Sequence, residues 1–246
     1  MLDSPAGRNW KSWTSAYCGF FYWYKGDIHH CVIDTNNDID MSVLNKTDDE
    51  NFSNFVERTA SGISWPELII NASFGENHGL GHLTQTVMGD VISEGKRLFL
   101  YQTRERRAYL YFKKNPAEGD RYEMGLGAAP TYADAAIGGL CPLVIGGTKY
   151  DSSSSNLYAS IAGRSRSTGK VAAGLLPGGF LYVGVQPDSE GSLSVDDARD
   201  RLADAGCADA VMPDGSDSAM MYFNGEWKAR QGWGKNRVTR VGLCFQ

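Results

Sequence analysis

The sequence predicts an α+β (mixed α/β) domain, with a mixed sheet that holds an antiparallel meander and a parallel β-α-β unit, and helices packed on the sheet. Three observations carry that prediction. Residues 180–185 (FLYVGV) are a nearly continuous apolar run, as a strand covered on both faces requires, and the run stops before Pro187. Residues 194–206 have helical signals at both ends: Ser194 as N-cap, Asp196 and Asp197 on the positive end of the dipole, and Gly206 as the stop, with Val195, Ala198, Leu202 and Ala205 at helical spacing. Residues 20–33 place two aromatic and β-branched runs around Lys25-Gly26-Asp27, the mark of a hairpin.

In chain order, residues 1–18 read as an N-terminal extension and 19–246 as one domain, since no linker or charge block divides the chain. FFYWY and HHCVID form the hairpin, and a turn at Asn36-Asn37 leads into IDMSVL as the third strand of a meander. Thr47 with Glu50 forms a capping box, and Phe52, Phe55 and Val56 give the following helix its apolar face before Gly62. Residues 68–71 read as a buried strand ending on Asn71, and 73–89 as an irregular loop over that strand end, one wall of a cleft. Residues 97–101 and 109–112 are expected to pair as a hairpin, 152–156 to form a surface loop, and 237–243 a final strand. The helix then joins residues 180–185 to a strand at 208–212. Ligands of such units bind beyond the carboxyl ends of the strands, which selects the Gln186-Pro187-Asp188 loop and the turn Asp214-Gly215-Ser216-Asp217-Ser218.

Composition removes several function classes. With 29 acidic against 24 basic residues the net charge is -5, so a nucleic-acid-coating surface is not expected. Cys18, Cys31, Cys141, Cys207 and Cys244 are odd in number and never spaced as Cys-x-x-Cys, which favours buried free thiols over a disulfide framework or zinc ribbon. No apolar run approaches membrane-spanning length, and the first residues lack a basic segment followed by an apolar core. As it stands the chain reads as cytoplasmic, and as secreted if a leader has been removed.

Few segments carry chemistry. Residues 163–170 (GRSRSTGK) resemble a phosphate loop, but five residues separate the glycines and Val171 stands where the magnesium-binding hydroxyl belongs, so nucleotide hydrolysis is rejected. Arg164, Arg166 and Lys170 nevertheless suit an anion, the competing role being a solvated basic loop. His78 and His82 have metal-ligand spacing for a helix, yet Gly79 and Gly81 disfavour that helix and with it a zinc site. Asp214 and Asp217 flank Gly215-Ser216 at a strand end, where a carboxylate, a hydroxyl and backbone amides can surround a ligand. The commoner role of such a turn is an Asx cap. No cofactor is called for, and a divalent cation such as calcium is a third reading of the turn.

Taken together these segments resemble the phosphodiester glycosidase family, the domain of the uncovering enzyme that removes N-acetylglucosamine from phosphodiester-masked mannose. The likeness runs through Ile70-Asn71-Ala72-Ser73-Phe74, Gly89-Asp90-Val91-Ile92 with Gly95, Pro142-Leu143-Val144, Lys170-Val171-Ala172-Ala173-Gly174, Gly191-Ser192-Leu193-Ser194 and the 214–218 turn, where the family has Asp-Gly-Gly-Gly-Ser. Lys170 stands for an arginine, Ser216 and Asp217 for two glycines, and Gln186-Pro187 for an Asp-Gly. The resemblance implies hydrolysis of the glycosidic bond of a sugar-1-phosphodiester, small or on a glycan, releasing sugar and phosphomonoester. Arg164, Arg166 and Lys170 would neutralise the leaving phosphate, and Asp214, or secondarily Asp217, would serve the oxocarbenium-like centre. Asn71, Glu76, His78 and Ser218 would bind sugar hydroxyls or water, with Gly215 and Ser216 lining the site. Two other classes remain open: a glycan or phosphosugar-binding module that kept the cleft without the chemistry, and a structural or viral host-interaction protein using tryptophans such as Trp10, Trp13, Trp23 and Trp233.

Overall fold

The structure is a computed structural model that describes residues 15–47, 50–62, 67–72, 74–76, 86–100, 107–117, 119–232, 236 and 239–246. The first half of the chain runs β1 (Ser15–Tyr17), β2 (Phe20–Lys25), β3 (Ile28–Asp34), β4 (Met41–Asn45), α1 (Phe52–Ala60), β5 (Leu68–Asn71), β6 (Gly75–Glu76), β7 (Thr86–Val87), β8 (Val91–Ser93), β9 (Lys96–Phe99), β10 (Ala108–Phe112) and β11 (Tyr122–Leu126). The second half runs β12 (Ala135–Ile145), β13 (Thr148–Lys149), α2 (Asn156–Ala162), β14 (Lys170–Leu176), β15 (Phe180–Gln186), α3 (Val195–Asp204), β16 (Asp209–Met212), β17 (Met221–Phe223), β18 (Glu226–Ala229) and β19 (Val241–Phe245).

Two antiparallel sheets and flanking helices make four layers. The larger sheet has the order β1-β2-β3-β15-β14-β16-β12-β10-β11, with β13 and the β8–β9 hairpin attached to β12, and the smaller runs β18-β17-β5-β19-β4. Alternation along each strand explains the layering. Cys31 and Ile33, Leu181 and Val183, Leu68 and Ile70, and Leu243 and Phe245 all enter one core between the sheets. The residues between them point outward. Val32, Tyr182, Ala172 and Met212 meet Leu202 and Ala198 of α3 and Tyr158 and Ile161 of α2, whereas Ile69 and Cys244 meet Phe52 and Val56 of α1. The near-continuous apolar run of β15 thus reflects a strand buried on both faces.

Several expectations are met. Ser194 caps α3, its hydroxyl accepting from the Asp197 N–H while the Asp197 carboxylate accepts from the Ser194 N–H, and Gly206 follows the helix at φ 89°. Cys31, Cys141, Cys207 and Cys244 are buried free thiols, and Cys18 is an exposed one. No helix among the described residues is long and apolar enough to cross a membrane.

Other expectations are corrected. The strands on either side of α3 are not paired with each other: β14 lies between them and pairs antiparallel with both. Residues 170–186 already form a seven-pair hairpin through Gly178 and Gly179, both at positive φ, and a neighbour supplied by so tight a turn takes the place that a crossover partner would fill. The three-strand meander ends after two strands, because Ile39 plunges into the inter-sheet core and β4 pairs with β19 of the other sheet. β9 pairs with β8 across Glu94-Gly95, both at positive φ, while β10 pairs with β11 and β12. Asn51, not Thr47, stands at the N-cap position of α1, without a side-chain capping hydrogen bond; Glu50 instead forms an ion pair with Arg58. Ser155, at the end of the serine-rich loop, is the N-cap of α2, accepting from the Tyr158 N–H. The tail strand is Val241–Phe245, and Arg237 and Val238 lie outside the described residues.

Candidate functional site

The insertion of β14 determines where the site forms. Because β14 runs against β15 and β16, its first residue sits beside their last ones: Lys170 is opposite Gln186. The register Ala173↔Val211, carried on, brings Lys170 level with Asp214. The basic loop at 163–169 therefore enters between the two strand ends selected from the sequence.

Gly169 fastens the three loops together. Its N–H donates to Asp188 Oδ1 at 2.8 Å, beyond β15, and its carbonyl accepts from the Ser216 N–H at 2.6 Å, beyond β16. A Cβ on Gly169 would stand 2.2 Å from the Ser216 carbonyl oxygen, and one on Gly215 would stand 2.5 Å from the Gly169 carbonyl oxygen, so both positions require glycine. Ser216 holds φ 60° on a 3-10 turn (Ser216–Ser218). That left-handed conformation costs a residue with a Cβ on the order of 1 kcal/mol.

Asn71 and Asp214 join the two sheets at this point. Asn71, buried at the end of β5, donates through Nδ2 to the Asp214 carbonyl at 2.6 Å and accepts from the Met220 N–H at 3.0 Å. Both ends of its amide are spent on backbone. Asp214 is buried, and its Oδ2 accepts from the Ser218 hydroxyl at 2.9 Å. The hydroxyl fixes one oxygen of the carboxylate. Asp217 shares the turn and is half-buried, its carbonyl accepting from the Gly232 N–H at 2.8 Å.

The cations are arranged unequally. Lys170 is buried, and its ammonium donates to the carbonyls of Thr168 at 2.6 Å, Arg166 at 3.0 Å and Ser165 at 3.4 Å. Gln186 Nε2 reinforces the same loop through the Arg166 and Thr168 carbonyls, while its Oε1 accepts from the Leu193 N–H. Burial pushes the Lys170 ammonium down to about 8; the carboxylates of Asp188 and Asp197 oppose the shift and Arg166 adds to it. Arg166 points away, onto the Ser192 carbonyl and the Asp197 carboxylate, each at 3.1 Å. Arg164 is exposed, and among the described residues no carboxylate pairs with it.

Between pH 8 and 10.5 the folded chain holds fewer protons on Lys170 than the unfolded chain, whose lysine titrates near 10.5. The burial cost is therefore fully present below pH 8 and is relieved as pH rises toward 10.5, so this residue makes stability increase across that window. Lys170→Gln should flatten that increase. Urea midpoints of both proteins on either side of pH 8 check this, and an unchanged difference between them across the window contradicts it.

Phe74, Ile161, Arg164, Lys170, Asp214 and Ser216 line one shallow concavity with about 290 Å³ of empty space, its open mouth included. Phe74 and Ile161 form its apolar wall and Arg164 brings charge to its rim. Glu76 lies on β6, and His78 lies outside the described residues, as do His82 and Ser73. Gln186 and Asp188 have roles here that the sequence signalled only through their place at a strand end. No cluster of His, Cys, Asp and Glu suited to a metal occurs among the described residues.

No family model and no curated protein matches the sequence. Solved structures do match in fold. The catalytic domain of zebrafish N-acetylglucosamine-1-phosphodiester alpha-N-acetylglucosaminidase, auto-inhibited by its pro-peptide, is 16% identical with a TM-score of 0.66, over 92% of this chain and 82% of that one. A Synechocystis hypothetical protein is 11% identical with a TM-score of 0.58 over 92% of this chain, which spans only 61% of its length. A Burkholderia pseudomallei K96243 protein is 11% identical with a TM-score of 0.61, over 89% of this chain and 73% of that one. At these identities the chain is a distant structural relative of the phosphodiester glycosidase catalytic domain, sharing its fold.

Proposed function

We propose that the chain hydrolyses the glycosidic bond of a sugar-1-phosphodiester. The observation that carries this reading is the convergence on one concavity, closed by glycine contacts, of a buried carboxylate, Asp214, and a guanidinium, Arg164, that no carboxylate among the described residues pairs. The shared fold with a glycosidase acting on such a bond supports it.

The chemistry follows from the leaving group. A phosphomonoester departs as a weakly basic anion, so neutralisation can replace full protonation, and Arg164 is placed to supply it. The opposite demand, stabilising positive charge at the anomeric carbon, falls to the Asp214 carboxylate, as nucleophile or as base for water. Ser218 and Asn71 act through Asp214, one holding its carboxylate and the other its backbone. Lys170 and Gln186 act through the 165–168 loop, which they hold by its carbonyls; Lys170 is thus a positioning residue in this mechanism.

A binding module on the same fold is the second reading, favoured by the full engagement of the Lys170 ammonium with backbone. Incubation with a panel of sugar-1-phosphodiesters, with separation of sugar, sugar phosphate and phosphomonoester, distinguishes the two. Turnover to free sugar and phosphomonoester is expected. Saturable binding with no product identifies the binding module.

A further inference from the structure

After β18 the chain passes beside the 216–218 turn, and two of its residues grip that turn. The Gly232 N–H donates to the Asp217 carbonyl at 2.8 Å. Gln231 Nε2 donates to the Ser218 carbonyl and to the Thr239 hydroxyl, each at 2.9 Å. Residues 231 and 232 thus hold two successive carbonyls of the turn. A Cβ on Gly232 would stand 3.1 Å from the Asp217 Cβ, so the segment lies directly against it.

The segment is itself anchored. The Gly232 carbonyl accepts from the Asn236 N–H at 3.0 Å. Asn236 is tied in turn to the start of α1, where its Oδ1 accepts from the Ser53 N–H at 2.6 Å and its Nδ2 donates to the Ser53 hydroxyl at 2.8 Å. Thr239 and Ser218, the two residues that receive the Gln231 amide, are both buried.

The direction of that amide follows from its partners. A backbone carbonyl only accepts, so the NH₂ end of Gln231 faces Ser218, and both of its hydrogens are used. The Oε1 end is buried and meets no donor among the described residues. A buried acceptor without a donor costs stability, and a methionine of similar size would avoid that cost. What the amide supplies is the hold on Ser218. The Ser218 hydroxyl then reaches Asp214 Oδ2 at 2.9 Å, so one chain of contacts runs from Gln231 through Ser218 to the buried carboxylate.

We infer that Gln231 is a positioning residue for the reaction, fixing the Ser218 backbone from which the hydroxyl holds one oxygen of Asp214. The inference rests on the sugar-1-phosphodiester reading. Gln231→Met, Ser218→Ala and the double variant, as full chains, are compared with wild type in steady-state kinetics on the member of the sugar-1-phosphodiester panel that wild type turns over fastest, beside a thermal melt. Gln231→Met should lower kcat about tenfold and leave KM within about twofold, because a displaced catalytic group loses reactivity rather than binding. Since Gln231 acts through Ser218, the double variant should be no slower than Ser218→Ala alone. A glutamine that served only the fold would lower the melting midpoint and leave kcat of the folded protein unchanged. Gln231→Glu, which keeps the shape and loses the donor, gives the same answer if the methionine variant does not fold. Unchanged kcat in a folded Gln231 variant, or effects of the two substitutions that multiply, overturns the inference and leaves the reading of the site standing. Absence of wild-type turnover across the panel removes that reading and this inference with it.

Discussion

Asp214→Asn is expected to leave the fold intact and to lower turnover of a sugar-1-phosphodiester by on the order of 10²- to 10⁴-fold, the range for loss of a positioned acid or base group. The substitution keeps the shape of the side chain, and its amide oxygen can still accept from the Ser218 hydroxyl, now 2.9 Å from Oδ2. Only the negative charge is lost. A charge needed against an oxocarbenium-like centre is one that an amide cannot replace, so kcat should fall with little change in thermal midpoint. Steady-state kinetics beside a thermal melt measure both. Unchanged turnover in a folded variant removes Asp214 from the chemistry.

Asn71→Ala should act first on stability. The substitution strips a partner from the Met220 N–H and the Asp214 carbonyl, and Met220, Asn71 and Asp214 are all buried. Each buried polar group left unsatisfied costs about 1–3 kcal/mol, so for the two a loss of about 2–6 kcal/mol is expected, a large part of the stability of an ordinary domain. Asn71→Asp should recover only part of it: a carboxylate can accept from Met220 but cannot donate to the Asp214 carbonyl. Guanidinium unfolding measures the ladder from wild type through Asp to Ala. A variant of full stability with only a raised KM would instead make Asn71 a substrate ligand.

Particular residues show why some of this was legible in the sequence. The capping box of α3 depends on Ser194 and Asp197 alone, within four residues, so its signal is complete in the sequence. The β2–β3 hairpin and the buried β15 are equally local, set by a turn and by an uninterrupted apolar run. The partner of a strand is a longer-range matter. Residues 171–176 are small and apolar, with weak strand propensity, yet they form β14 because a tight turn at 178–179 delivers them to β15. Overlooking that strand turned a split unit into a parallel one. It also hid how the basic loop reaches Asp214.

The same distinction holds for the site. Asp214 and Ser216 are legible from a turn at a strand end and Arg164 from the basic 163–170 loop, and they line one concavity. Residue type could not disclose that the Lys170 ammonium faces three carbonyls, or that Arg166 turns toward Asp197. Those are consequences of the closure of the 163–169 loop. Gln186 is marked by its place at a strand end and as a departure from a family pattern, and the structure gives it the carbonyls of Arg166 and Thr168 to hold.

The most direct test of the account is to run turnover of a sugar-1-phosphodiester in ¹⁸O-labelled water and weigh the phosphomonoester released. Cleavage of the bond between the anomeric carbon and oxygen leaves every oxygen of the phosphate in place, whereas attack at phosphorus puts a water oxygen on it. The phosphate is the product to read, because the anomeric oxygen of a free sugar exchanges with water. The account predicts an unlabelled phosphomonoester from wild-type protein and loss of its formation in Asp214→Asn. A phosphate carrying one ¹⁸O would contradict it.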